Sequence, residues 1–235
     1  MYKTIYKEYT IYDCIMQLDL TINNIYNLTK GCDEHMKKYL SHQGFIDYNQ
    51  GFGREHYKLF ISISKQLKDA KILEIGTHNG NSAVALSYGN IDNNNITIDT
   101  YDIVDLLEPN PKQFFGDYNV NYNLKNILTQ DYLNEHKDEL LSYDIIFMDI
   151  DPHEGILEYQ LYQWLKQNKY EGIIIFDDIH LGLNHIANNY RPTKYSMADF
   201  WNKVEEEDKL DLTHLGHWSG TGVVCFDFDK NNISL

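Results

Sequence analysis

Two short stretches, DIDPHEGILEY (149–159) and FDDIH (176–180), concentrate four aspartates and two histidines. Each follows a strongly apolar run, YDIIFMDI (143–150) and GIIIFDDI (172–179). Asp149 closes the first run, and Asp177 and Asp178 close the second. If the two runs are parallel strands, their C-terminal tips share one rim and these three carboxylates converge. Like charges held together repel and raise the pKa of at least one member. A divalent cation removes that cost, and hard oxygen ligands select Mg²⁺, Ca²⁺ or Mn²⁺ over zinc. Such an ion lowers the pKa of a bound hydroxyl and fixes its position. His153 is the candidate general base, with His180, His185 and His217 (in GHWSGTG) as competitors. The bland alternative is turn and cap chemistry. Asp151-Pro152-His153-Glu154 reads as a helix start, with Asp151 at N-cap, Pro152 at N1 and Glu154 at N3.

The elements that must hold these residues alternate along the chain. REHYKLFISISKQLKD (54–69) spaces Tyr57, Phe60, Ile61, Ile63 and Leu67 as a helix does, and KILEIG (71–76) is a short buried strand. SAVALSYG is a helix closed by Gly89. NITIDTYDIV (95–104) and NYNLKNIL (121–128) read as the second and third strands. YLNEHKDELL and EGILEYQLYQWLKQN are helical, and SMADFWNKVEEE starts a helix at Ser196 with Asp199 three residues on. The tail KLDLTHLGHWSGTGVVCFDFD reads as two strands around a Gly-rich turn. Throughout-apolar strands separated by helices imply a doubly wound α/β fold, mostly parallel and covered on both faces, with an antiparallel strand pair near one edge. In residues 1–50, GCDEHMKKYLSHQGF predicts one helix ending near Gly44. The expected organisation is an N-terminal helical cap over 1–53 on a compact domain over 54–235.

EIGTHNGNS (74–82) joins the first strand to the first helix of the sheet. In such sheets ligands bind outside the carboxyl ends of the strands, at the switch point. The dinucleotide fingerprint G-x-G-x-x-G is broken here, because His78 stands at its second glycine. An acid at the end of the second strand can accept hydrogen bonds from ribose hydroxyls; Asp102 is the candidate and Asp99 the alternative. The acidic residue followed by Gly-x-x-x-Gly resembles motif I of class I S-adenosylmethionine-dependent methyltransferases. That resemblance implies S-adenosylmethionine as cofactor, Glu74 serving its methionine end and Gly76 passing close to it. It implies Thr77, Gly80, Asn81 and Ser82 in the cofactor turn, and Asn126 and Ile127 against the adenine.

Over residues 54–228 the chain also resembles metal-dependent O-methyltransferases, of the catechol type and, closer in pattern, the macrocin/mycinamicin sugar group with its cephalosporin-hydroxylase-like relatives. ILEIGTHNGNS, YDIIFMDIDPHEG and GIIIFDDIH carry the likeness. It implies Mg²⁺ held by Asp149, Asp177 and Asp178, with His153 beside them. In the sugar enzymes the His follows the metal-binding Asp by three residues; here His153 follows Asp149 by four and Asp151 by two, so both acids stay open as the ligand. The expected reaction is transfer of a methyl group to a hydroxyl of a small molecule or sugar, a vicinal diol suiting two-point coordination. A nicotinamide-dependent oxidoreductase and a non-catalytic member of the fold are the alternatives.

Composition narrows the partners. The 235 residues carry 20 basic against 35 acidic side chains, a formal net of −15. A nucleic-acid binder needs a basic face, so no nucleic-acid substrate is expected. No run reaches the ~20 apolar residues of a membrane span. Cys14, Cys32 and Cys225 lack metal-ligand spacing and are odd in number, which suggests reduced thiols. The Tyr-rich, charged start is unlike a secretory signal. A cytoplasmic location is the expectation, with a lid or homodimer contact as further roles for residues 1–50.

Overall fold

The computed structural model describes residues 18–185 and 195–226. Among them lies a seven-stranded sheet, β1 (Lys71–Ile75), β2 (Thr97–Asp102), β3 (Val120–Leu124), β4 (Ile145–Met148), β5 (Ile173–Asp177), β6 (Lys209–Asp211) and β7 (Thr221–Val224), in the order β3-β2-β1-β4-β5-β7-β6. The five strands from β3 to β5 run parallel, while β7 is antiparallel to both β5 and β6. The order reverses between β1 and β4, which is where such sheets open a crevice at their carboxyl ends.

Side chains alternate between two buried faces, as a strand period of two requires. Ile72, Ile98, Ile145, Phe147, Ile173 and Ile175 pack on one side. Leu73, Ile146, Met148, Ile174 and Phe176 pack on the other. With both faces covered, every position gains from burial, roughly 1.5–3 kcal/mol for each large apolar side chain. That is why these strands read as unbroken apolar runs.

On the first face lie α1 (Ile22–Thr29), α2 (Asp33–Tyr39), α3 (His42–Tyr48), α4 (Tyr57–Gln66), α5 (Asn81–Leu86) and α6 (Pro109–Asp117). The other is covered by α7 (Gln130–Glu135), α8 (Lys137–Leu140), α9 (Ile156–Gln167) and α10 (Met197–Trp201). The N-terminal helices are continuous with the core: Leu20, Ile25, Met36 and Leu40 share a cluster with Phe60 and Ile72. A polar pin reinforces them. The Asn81 carboxamide accepts from Ser41 N (2.8 Å) and donates to Ser41 Oγ (2.9 Å).

Several boundaries differ from expectation for local reasons. The single helix expected through 31–45 is two, because the Ser41 hydroxyl accepts from Gly44 N and starts α3 afresh. The helix expected to close at Gly89 ends at Leu86 and continues as a 3₁₀ turn, Tyr88–Asp92. The second strand begins only at Thr97, after a left-handed Asn95. The third stops at Leu124, and the Asn126 side chain accepts from Leu128 N (3.0 Å) to close a turn. Helix α6 was not foreseen, though a proline at its first position is an ordinary start signal. Cys32 and Cys225 are buried, and Cys14 lies outside the described residues. No helix among the described residues is long and apolar enough to cross a membrane.

Candidate active site

The crevice at the switch point has two connected lobes. The larger, about 440 Å³, runs from Gly76 and His78 past Asp102, Ile103, Asn126 and Ile127 to Asp149, His153 and Asp178. The smaller, about 100 Å³, is lined by Glu55, His56, Tyr57, Thr77, Asn79 and Ser82. Gly76, His78, Asp149, Asp177 and His217 border both.

The turn after β1 forms the floor. Gly76 has φ +101, and a Cβ there would collide with the carbonyl of Asp149. Only glycine lets the tips of β1 and β4 approach this closely. His78 N donates to Asp102 Oδ2 (2.7 Å), while Ile103 N (2.7 Å) and Val104 N (3.0 Å) donate to Oδ1. These three bonds fix the Asp102 carboxylate at the cleft wall. The alternative acid, Asp99, is elsewhere, accepting from the Tyr143 hydroxyl (2.7 Å) and the Asn121 side chain (2.8 Å).

The residues implied for the cofactor turn divide. Gly76, Thr77 and Ser82 border the cleft, as do Asp102, Asn126 and Ile127. Glu74, Gly80 and Asn81 line neither lobe. Glu74 is fully buried under the turn and accepts from the Thr100 hydroxyl. Burial pushes its carboxyl up to about 7, against hydrogen bonds from Ser82 and Thr100. The left-handed Gly80 backs onto Leu107, Pro111 and Phe115, and Asn81 is spent on Ser41.

The carboxylates share one wall but divide between two groups. Asp149, His153 and Asp178 each bring a ligand-type atom within 4.8 Å of the others, and so do Asp177, Asp178 and His217. Burial, then the charges of Asp177 and Asp178, hold the Asp149 carboxyl well above the usual range. Asp177 goes the other way. Burial alone would raise its pKa, but the imidazoles of His56 and His217 outweigh that and hold it below the usual range. His217 Nδ1 lies 3.0 Å from Asp177 Oδ2. Despite burial, its bonds to Asp177 and Asp178 push its pKa up to about 11.

Asp151 is not a helix cap. The Asp151-Pro152 bond is cis, α9 starts at Ile156 behind a left-handed Gly155, and the Asp151 side chain is 88% exposed. Gly155 sets that start, because any Cβ there would meet the Ser196 carbonyl and Phe200. The turn instead aims His153, whose Nδ1 lies 3.1 Å from Asp178 Oδ2 and whose Nε2 lies 3.0 Å from Asp151 Oδ1. Of the other histidines, His180 pairs with Asp211 (2.8 Å) and lines neither lobe. His185 sits in a 3₁₀ turn, Leu183–His185.

Glu55 and His56, at the start of α4, were missed in the sequence. No motif surrounds them, and their only signal is a polar pair preceding an amphipathic helix. Strain marks the site as well. His78, His153 and Asp178 have φ of 44°, 58° and 61°. A non-glycine residue in that region costs about 1–2 kcal/mol, and such residues gather at functional sites.

A family model described as a methyltransferase domain matches residues 73–179. No curated protein sequence matches the chain. Among solved structures, the CurJ carbon methyltransferase is 13% identical with a TM-score of 0.50, over 92% of this chain and 66% of that one. An O-methyltransferase from Bacillus cereus, in complex with S-adenosylhomocysteine, is 17% identical with a TM-score of 0.47, over 87% of this chain and 91% of its own. A Podospora anserina methyltransferase, also bound to S-adenosylhomocysteine, is 17% identical with a TM-score of 0.45, over 73% and 78%. At these identities the likeness is one of fold. Residues 73–179 thus match the model of a methyltransferase domain, and the sheet that carries them is mostly parallel with an antiparallel edge.

Proposed function

We propose that the protein is an S-adenosylmethionine-dependent O-methyltransferase acting on a hydroxyl of a small molecule or sugar, assisted by a divalent cation. One observation carries the reading. A cleft of about 440 Å³ at the strand-order reversal ends on an Asp149–Asp178–His153 group whose Asp178 is buried and whose other two members are half-buried.

When bound, S-adenosylmethionine supplies an electrophilic methyl group, and a divalent cation supplies the charge that lowers the pKa of an acceptor hydroxyl. The residues fit both. Asp102 keeps lone pairs for ribose hydroxyls, since a carboxylate has about four acceptor sites and three backbone donors use only part of them. Ile103, Ile127 and Leu128 give an apolar edge for a base. Asp149 and Asp178 would be the oxygen donors for the cation, whose charge would offset both the burial and the repulsion from Asp177 and Asp178 that raise the pKa of Asp149. Asp177 stands behind them, with one oxygen committed to His217.

His153 is the base. Asp178 holds its Nδ1, and the exposed Asp151 can swing away from Nε2 to leave that atom for a substrate proton. The strained backbone at His153 is consistent with that role. Most of the rate then comes from placing two reactants together. A vicinal diol, as in sugars, suits an oxygen-rich site that can take two adjacent hydroxyls.

Calorimetric titration with S-adenosylhomocysteine tests the cofactor; no binding removes the reading. Methyl transfer to a panel of polyols and catechols, with and without EDTA, tests the rest. Turnover that EDTA leaves untouched removes the cation.

A further inference from the structure

We propose that Glu55, His56 and His217 form a binding site for one transition-metal ion of the zinc class, beside the oxygen-rich Asp149–Asp178–His153 group and separate from it. The proposal does not depend on methyl transfer. One ligand-type atom from each of the three residues lies within 4.8 Å of the other two. The set is two imidazoles and a carboxylate, a donor mixture suited to zinc, iron(II) or cobalt(II) rather than to magnesium.

Two further observations point to a ligand. The first is His217. Its Nδ1 lies 3.0 Å from Asp177 Oδ2, and its Nε2 lies 3.9 Å from Glu55 Oε2. A metal-binding imidazole usually has one nitrogen held by a carboxylate, which sets its tautomer and orientation and leaves the other nitrogen for the ion. Asp177 supplies that support. The second is His56. The residue is 4% exposed, and its Nδ1 makes no hydrogen bond. That atom lies 3.1 Å from Glu55 Oε1 and 3.6 Å from Asp177 Oδ1, within ion-pair range but completing no hydrogen bond. Asp177 Oδ1 is likewise buried and unsatisfied. A buried polar atom without a partner costs about 1–3 kcal/mol, so two of them side by side in one small lobe call for a common partner. Phe60 and Phe147, with ring centroids 4.4 and 5.4 Å from that of His56, fix the imidazole in this orientation.

The competing account is a metal-free network in which protonated imidazoles neutralise the carboxylates. Cobalt(II) separates the two. The full chain, stripped with chelator, is titrated with Co²⁺ and followed by visible d–d absorption, and Zn²⁺ is then added as competitor. With excess Mg²⁺ present to fill the oxygen-rich group, saturation at one Co²⁺ per chain, displaced by Zn²⁺, is expected. His217→Ala and Glu55→Gln should abolish the bands, and Asp177→Asn should weaken binding about 10–100-fold. His153→Ala should leave it unchanged. Native-like circular dichroism qualifies each variant, and Glu55→Gln serves if His217→Ala fails to fold. No saturable Co²⁺ or Zn²⁺ binding by the unmodified chain overturns the site. So does a loss in His153→Ala equal to that in His217→Ala, which would put the ion in the other group. S-adenosylhomocysteine titration of the same samples keeps the two proposals apart, since either ligand can fail while the other binds.

Discussion

His153 stands between a buried carboxylate and an exposed one, and that asymmetry assigns its nitrogens. If Nε2 receives the acceptor proton, His153→Ala should lower kcat by about 10²–10⁴-fold, the usual worth of a positioned base. Affinity for S-adenosylhomocysteine should stay within experimental error; a joint loss of both would make His153 a structural residue instead. Glu74 gives a prediction of a different kind. Its buried carboxyl titrates near 7 in the fold, against the ordinary 4.5. Between those values the folded state holds the extra proton, so stability falls as pH rises and the penalty is complete above 7. Glu74→Gln removes it. Urea unfolding should show the variant gaining on the parent between pH 5 and pH 8 by on the order of 3 kcal/mol, and a pH-independent difference would contradict the burial argument. Asp149, Asp177 and Asp178 were readable because acids after unbroken apolar runs must emerge at strand tips. Glu74, implied by the motif to serve the cofactor, is buried and lines neither lobe of the cleft, because a motif gives an acid's position in the chain but not the face of the strand it occupies. Glu55 and His56 were invisible, since only tertiary packing carries the start of α4 to the tips of β4 and β5.

At the level of elements, the strands were legible in number and type, and the turns between them were less so. Burial on both sheet faces writes a strong signal into β1, β4 and β5. The start of α9 went astray at Asp151, where a plausible cap signature lost to packing. Gly155 is the one residue that can lie against Ser196 and Phe200, so the helix waits for it and the preceding residues form the turn that carries His153. The other decisive glycine is Gly76. Gly76→Ala forces both a left-handed alanine and a clash with the Asp149 backbone. The expected cost exceeds about 3 kcal/mol, together with loss of S-adenosylhomocysteine binding, because β1 and β4 must part at the cleft. Denaturant unfolding with an unchanged m-value measures the first. A Gly76→Ala protein of parental stability would show that the turn can relax, and would remove the close approach as a constraint.

The whole molecule carries a net charge of −15, and part of that acidity is gathered in the cleft wall at Asp149, Asp177 and Asp178. Two separable effects of salt follow. General self-repulsion opposes compactness. It should weaken as the screening length falls from about 30 Å at 0.01 M salt to about 8 Å at 0.15 M, so the thermal midpoint should climb with NaCl. A cation bound at Asp149 and Asp178 adds a different increment, which grows with the logarithm of its free concentration above Kd. MgCl₂ at matched ionic strength should therefore raise the midpoint beyond NaCl, and EDTA should reverse only that excess. Asp149→Asn should abolish the excess and keep the shared rise. If NaCl and MgCl₂ give coincident curves at matched ionic strength, the acid group is held together by its histidines alone, and the cation leaves the proposed mechanism. If instead the midpoint falls with NaCl, attractive pairs such as Lys166 with Asp208, at 2.7 Å, outweigh the net charge, and the surplus of acid over base says less about this fold than its size suggests.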